Sequence, residues 1–183
     1  MDATRTVSIV RVDAAALPAE RDALAQLLID VVENGASVGF VLPLSHDEAA
    51  RYWDGLAPSL ADGSRWLWAA RDGGGLLGTV QLELATKKNG VNRAEVQKLL
   101  VHSAARRRGV ARALMQTVEA RARELRRGLL HLDTEAGSDA EPFYRALGYT
   151  AIGGLPEYAC SPRGEWRANA IYYKTLFLRG AAA

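Results

Sequence analysis

Between residues 94 and 134 the hydrophobic period switches from strand-like to helical and back, and no other stretch narrows the choice of fold so much. AEVQKLLV, 94–101, reads as a strand. Val110, Leu114, Val118 and Ala122 then fall on one face of a helix expected over 109–127, with Glu119, Arg121, Arg123 and Glu124 largely elsewhere, and Gly128 stops it. LLHLDT, 129–134, is again a short apolar strand. Strand, helix and strand in succession make a β-α-β unit, whose crossover is expected to be right-handed and whose strands are expected to be parallel.

The flanking sequence supplies antiparallel elements and more helix. TVSIVRV, 6–12, is rich in β-branched residues and reads as a first strand. A helix follows from Pro18 to the stop at Asn34-Gly35, with Leu24, Leu27, Leu28, Val31 and Val32 at helical spacing. Residues 36–45 are apolar and partly irregular. Ser45 and Glu48 have capping-box spacing, so a second helix is expected over 46–58. RWLWAAR and LLGTVQLELAT flank the turn Asp72–Gly75 as a hairpin, and Asn89-Gly90 turns the chain into the strand that ends at Val101. Ser138 with Glu141 suggests a cap for a helix running to Leu147 and Gly148. YTAIG and NAIYYKTLFL are the last strands, around an irregular PEYACSPRGEW; strand 170–178 is expected at a sheet edge, and 178–183 as a frayed tail. The class is α/β with a mixed sheet, expected as one domain over 1–183.

Composition removes several functions. Lys and Arg number 23 against 21 Asp and Glu, a net charge of +2, so the chain as a whole has little attraction for nucleic acid or anionic membrane. No apolar run approaches the roughly 18 residues of a membrane span, and the first residues lack a signal-peptide core, which makes a cytoplasmic protein the expectation. The single cysteine, Cys160, excludes an internal disulfide and fits a reducing compartment. No phosphate-binding G-x-x-x-x-G-K-[ST] loop occurs, and GGGLLG lies in a hairpin.

The turn HSAARRRGVARALM, 102–115, joins the strand to the helix inside the β-α-β unit. Unpaired N–H groups and the positive end of the helix dipole favour an anion there; Gly109 allows close approach to the backbone and Ala111 keeps the first turn narrow. Arg106 and Arg108 are expected to flank the anion, with Arg107 facing water. On 129–134, Leu129, His131 and Asp133 share one face, which puts the Asp133 carboxylate near the strand's C-terminal end, where open α/β sheets bind ligands. The alternative roles are a helix cap or an ion pair for Asp133 and a packed aromatic for Tyr144. Regular alternation on the preceding strand places Glu95, Gln97, Leu99 and Val101 opposite Val96, Lys98 and Leu100. Trp53, Trp66, Trp68 and Trp166 read as core or pocket walls, His131 as hydrogen-bonded packing, and Cys160 lacks a neighbouring base that would make it a nucleophile.

Arg106-x-x-Gly109-x-Ala111 satisfies Q/R-x-x-G-x-G/A, and with the flanking strand, helix, LLHLDT and FYRALGYT the chain resembles the GCN5-related N-acetyltransferases (GNAT). RAEVQKLLV, RGLLHLDTEAGS, the FYRALGYT segment and AIYYKTL are similar to the tabtoxin-resistance acetyltransferases within it, over residues 93–176. The resemblance implies a mixed, mostly antiparallel six- to seven-stranded sheet with helices on both faces, and acetyl-CoA as donor with no metal. It assigns donor binding to Leu99, Leu100, Val101, Arg106, Arg107, Arg108, Gly109, Val110, Ala111, Arg112, Ser138 and Tyr144. It makes Asp133 the base and Tyr144 the acid, with Glu95 as an alternative base. The acceptor it implies is a small-molecule amine such as a β-lactam amino acid toxin, contacted by residues 36–45 and 156–166. A protein or peptide Nα-acetyltransferase and a non-catalytic acyl-CoA sensor remain as alternatives, and so do monomer and homodimer.

Overall fold

The computed structural model describes residues 7–180, so Thr6 of the expected first strand and 181–183 of the expected tail lie outside the described residues. The chain runs β1 (Ser8–Val12), α1 (Leu17–Glu33), α2 (His46–Asp54), α3 (Ala57–Ala61), β2 (Arg65–Asp72), β3 (Gly75–Leu84), β4 (Arg93–Val101), α4 (Val110–Glu124), β5 (Leu129–Glu135), α5 (Ala140–Ala146), β6 (Thr150–Gly153), β7 (Ala159–Cys160), β8 (Trp166–Arg167) and β9 (Asn169–Thr175). Seven strands form one sheet in the order β1-β2-β3-β4-β5-β9-β6. β4 and β5 pair in parallel and the other neighbours are antiparallel, as the β-α-β pattern requires.

Strand alternation divides the interior into two cores. Trp66, Trp68 and Ala70 of β2, with Val80 and Leu82 of β3 and Leu130 and Leu132 of β5, pack against Val110, Leu114, Met115, Val118 and Ala122 of α4. Leu67 and Ala69 point the other way, into Leu24, Leu27, Leu28, Val31 and Val32 of α1 and Trp53 of α2. The helical spacing in both helices thus marks the faces that the sheet covers. Trp53, Trp66 and Trp68 are core, while Trp166 on β8 is 65% exposed.

Four expectations need correction. The helix expected over 46–58 is two: Gly55 caps α2, and Pro58 sits in the first turn of α3, where its missing N–H costs nothing. The Ser45 cap does form, its Oγ accepting from the Glu48 N–H at 3.2 Å. The irregular 156–166 segment contains the small ladder β7–β8. The C-terminal strand lies inside the sheet, because β6 folds back beside β9 and takes the edge. Ser138 does not cap α5: its Oγ meets Thr134 Oγ1 at 3.4 Å, and the Glu141 carboxylate takes the Gly137 N–H at 2.8 Å instead.

The fifth correction shapes the site. Alternation on β4 breaks at Lys98, which has φ +47 and gives β4 one extra residue opposite β3, between the pairs Gln81–Gln97 and Thr79–Leu100. Ala94 and Val96 face the α4 core, and beyond the bulge Leu99 and Val101 face it too, while Leu100 turns into the α1 core. Glu95 and Gln97 therefore do not share a face with Leu99 and Val101. Gly78 makes room for this bend: a Cβ there would lie 2.4 Å from the Leu100 carbonyl oxygen and 3.2 Å from Val110 Cγ1. Gly78→Ala is expected to lower the unfolding free energy by about 1–3 kcal/mol, the usual cost of overpacking, measured as a reduced urea midpoint at unchanged slope.

Candidate active site

The parallel ladder between β4 and β5 lasts for three pairs, Arg93–Leu129, Ala94–Leu130 and Glu95–His131, although both strands continue beyond it. Past Glu95 the two strands part, leaving the β5-facing edge of β4 without a strand partner. Two hollows follow one another along this opening. One, of about 530 Å³, is bounded by Glu95–Leu99, Asp133–Glu135, Ser138, Ala140, Tyr144, residues 35–39 and parts of 158–169. The other, of about 340 Å³, is bounded by Val101, Ala105, Arg106, Arg107, Gly109–Arg112 and Phe143. Leu99 and Val101 lie one in each, as do the neighbours Tyr144 and Phe143.

The smaller hollow presents open backbone amides at the start of α4, the arrangement expected of an anion cradle. Arg107 at φ +61 and Gly109 at φ +80 bend the turn so that the chain enters α4 with its amides open. Among the described residues the N–H groups of 107–112 find no backbone or side-chain partner; the first helical bond is donated by Ala113 to the Gly109 carbonyl at 3.0 Å. Gly109 faces open space and meets no neighbour that a Cβ would strike, so its φ is what calls for glycine. The arginines divide differently from the expectation. Arg106, Arg107 and Arg112 line the hollow, whereas Arg108 is drawn aside to Asp72 of the β2–β3 hairpin, Nη2 to Oδ2 2.8 Å.

The larger hollow gathers the residues suggested for acid and base chemistry. Asp133 and Glu95 both line it from opposite strands of the opening, and so do Tyr144 and Ser138. Asp133 is exposed into the hollow, and Asn169, itself buried, donates from Nδ2 to Asp133 Oδ2 at 3.4 Å. Tyr144 is almost wholly buried, edge-on to Phe143 and Tyr149 and tilted against Tyr172. Burial first, then the charge of Asp133, holds its phenol well above the ordinary value of 10.0. Tyr149 beneath it is raised too, by burial and then by the Glu119 carboxylate. His131 and Cys160 do not line the hollow.

Several residues that sequence reading passed over help to build this site. Lys98, expected on the far side of β4, is brought into the hollow by the bulge. Asn169 fixes both Asp133 and the loop wall, its Oδ1 accepting from the Leu155 N–H at 2.8 Å. Asp30, near the end of α1, takes the Ser103 N–H and Oγ at 2.7 Å each, tying the helix that leads to 35–39 to the turn that leads to the cradle. The Leu42 N–H donates to the Pro162 carbonyl at 2.8 Å and joins the two segments expected to contact an acceptor. None of these pairings leaves a local sequence signal, since each spans 14 residues or more.

Residues 31–149 match the profile of the acetyltransferase (GNAT) family. Solved structures share the fold. An N-acetyltransferase from Staphylococcus aureus Mu50 superposes with a TM-score of 0.76 at 17% identity, covering 94% of this chain and 99% of that one. YncA from Salmonella typhimurium, solved with its cofactor acetyl-CoA, gives 0.75 at 16%, covering 96% of each chain. A ribosomal-protein-alanine N-acetyltransferase from Brucella melitensis gives 0.75 at 23%, covering 92% and 99%.

The buried phenol has a measurable consequence. An unfolded tyrosine loses its proton near pH 10 and Tyr144 keeps it, so above pH 10 the unfolded state binds fewer protons and stability falls as pH rises; below pH 10 the contribution is fully present. Urea unfolding between pH 10 and 11.5 should therefore show a shallower loss of stability in Tyr144→Phe than in the native protein.

Proposed function

The chain belongs to the acetyltransferase (GNAT) family, and from that premise we propose that it moves the acetyl group of acetyl-CoA directly to the amino group of a small molecule. The observation that carries this reading is the parting of β4 from β5, which sets an open-amide cradle and a hollow with two carboxylates and a phenol along the same strand. Acetyl-CoA supplies an activated acetyl thioester when bound. The cradle fits its pyrophosphate: the amides of 107–112 point at no protein acceptor, and Arg106, Arg107 and Arg112 stand beside them. The unpartnered edge of β4 at Leu99–Val101 is suited to hydrogen-bond an extended amide-containing arm, as a further strand would.

The protein's own groups then have defined tasks. The acceptor must reach the thioester as a neutral amine, so the Asp133 carboxylate takes its proton, directly or through one water, with Glu95 as the second candidate. The amine nitrogen bonds to the acetyl carbon, the carbon–sulfur bond breaks with its electron pair leaving on sulfur, and the nitrogen sheds its second proton to water in the hollow, from which the Tyr144 oxygen is reprotonated after it has given its own proton to the sulfur. Tyr144 donates a hydrogen bond from its hydroxyl to that sulfur. Its raised pKa keeps the proton in place at neutral pH, and the proton follows once the thiolate, itself desolvated in the same hollow, has gained basicity. No acyl-enzyme is needed, and no metal takes part in the scheme.

A small acceptor suits a hollow of about 530 Å³, within the ordinary range for small-molecule sites, whose two loop walls are joined at Leu42 and Pro162. The resemblance over 93–176 supports an amino-acid-like toxin or antibiotic and a role in detoxification. A thiol-release screen with amines, amino acids, β-lactam amino acids, aminoglycosides and peptide N-termini tests the reading. Release with small amines and not with peptides is expected; release with peptides alone would make the protein a peptide acetyltransferase, and acetyl-CoA binding without release a sensor. Tyr144→Phe should lower kcat by about 10²-fold or more while the KM for acetyl-CoA moves little. Equal losses in both would make Tyr144 a binding residue.

A further inference from the structure

Lys98 has a conformation and a setting that the reaction just described leaves unused. Its φ of +47 belongs to the left-handed region, which costs a residue with a Cβ on the order of 1 kcal/mol. The bulge this makes carries the side chain into the larger hollow, where the ammonium stands 5.3 Å from the centroid of the Tyr52 ring. A Cβ on Gly39, in the opposite wall, would lie 3.8 Å from Lys98 Nζ. Among the described residues its ammonium makes no hydrogen bond and no ion pair within 4.0 Å, while its carbonyl accepts from Thr79 Oγ1 at 3.2 Å. Burial first, then the charge of Arg65, lowers its pKa, while the carboxylates of Asp133 and Glu95 act more weakly in the other direction.

The other cations near the hollow are already engaged. Arg65 spends its guanidinium on Gln81 and Gln97 at 2.7 Å each and on Glu83 at 2.6 Å, and Gln81 passes the network on to the Tyr52 hydroxyl at 2.9 Å. Arg167 at the rim is paired with Glu165. A partly buried ammonium with no anion in hydrogen-bonding or ion-pair contact, and only the weaker pull of Asp133 and Glu95 from across the hollow, is unfavourably placed, and an anionic group entering the hollow would relieve it. The lining thus offers a cation from the bulge of β4 and carboxylates from Glu95 and Asp133, the complement of a molecule that carries an amine and an acid together.

We propose that Lys98 binds the carboxylate, or an equivalent anionic group, of the acceptor, so that the acceptor class is an amino-carboxylate in preference to a neutral amine. The inference rests on reading the larger hollow as the acceptor site. It assigns Lys98 to substrate selection and leaves proton transfer to Asp133 or Glu95.

The test uses the full chain with saturating acetyl-CoA and a panel of L-amino acids, each paired with its α-carboxamide, followed by thiol release. The native protein should prefer the free acids by about 10- to 100-fold in kcat/KM, the range of one hydrogen bond to a charged group. Lys98→Met should bring acid and amide to within about twofold, through KM for the acid, with the KM for acetyl-CoA unchanged. Lys98→Gly, which suits the positive φ, should lose the preference equally and so separate charge from backbone; Lys98→Arg should keep part of it. Equal use of acids and amides by the native protein, or a preference that survives in Lys98→Met, overturns the assignment of Lys98 and leaves the transferase reading standing. Calorimetry showing no acetyl-CoA binding would overturn the reading beneath it as well.

Discussion

Everything at this site depends on where the β4–β5 ladder stops. A parallel pair buried under helices on both faces ordinarily runs the length of its strands, because unpaired N–H and C=O groups in such a place are costly. Here pairing ends at Glu95 and His131. The bulge at Lys98 follows within three residues and bends β4 away, so one backbone irregularity both opens the sheet and exchanges the faces of the residues beyond it. The exposed strand edge is tolerable if a ligand with peptide-like groups completes it, and on the proposed reading the open amides at the far end of the same strand would hold the charged end of such a ligand.

The two halves of the site are mechanically joined through α1 and the long-range polar contacts around it. Asp30 holds the turn at Ser103, and the helix it belongs to runs on into the 35–39 wall of the larger hollow. Under the floor, Arg65, Gln81, Gln97, Glu83 and Tyr52 form one connected set of hydrogen bonds on the sheet face that carries Glu95. This network supports the Tyr52 ring beneath Lys98, with Arg65 Nε the one buried atom of its hub that finds no partner among the described residues.

Much of this was legible in the sequence, for identifiable reasons. The period change across 94–134 specified the β-α-β unit, and strand–glycine–helix order located the turn of open amides, because both follow from local backbone chemistry. The Ser45 cap and the core face of α1 were readable on the same grounds. The bulge was not. Lys98 is no glycine, and strict alternation is the only guide when the irregularity is imposed by packing, here the contact of Gly78 with Leu100 and α4. That misplaced Lys98, Leu99, Leu100 and Val101 together. The interior position of β9, the grip of Asn169 on Asp133 and the diversion of Arg108 to Asp72 are long-range outcomes with no signature at the residues themselves.

Amide hydrogen exchange with and without acetyl-CoA tests the central claim most directly, since it reads the backbone groups on which the account rests. Added acetyl-CoA should slow exchange at two places on the chain: those N–H groups of Leu99–Val101 that face the open edge of β4 rather than β3, and those of Arg107–Arg112 at the start of α4. Binding with protection confined to other segments, or no change at either place at saturating acetyl-CoA, would contradict it.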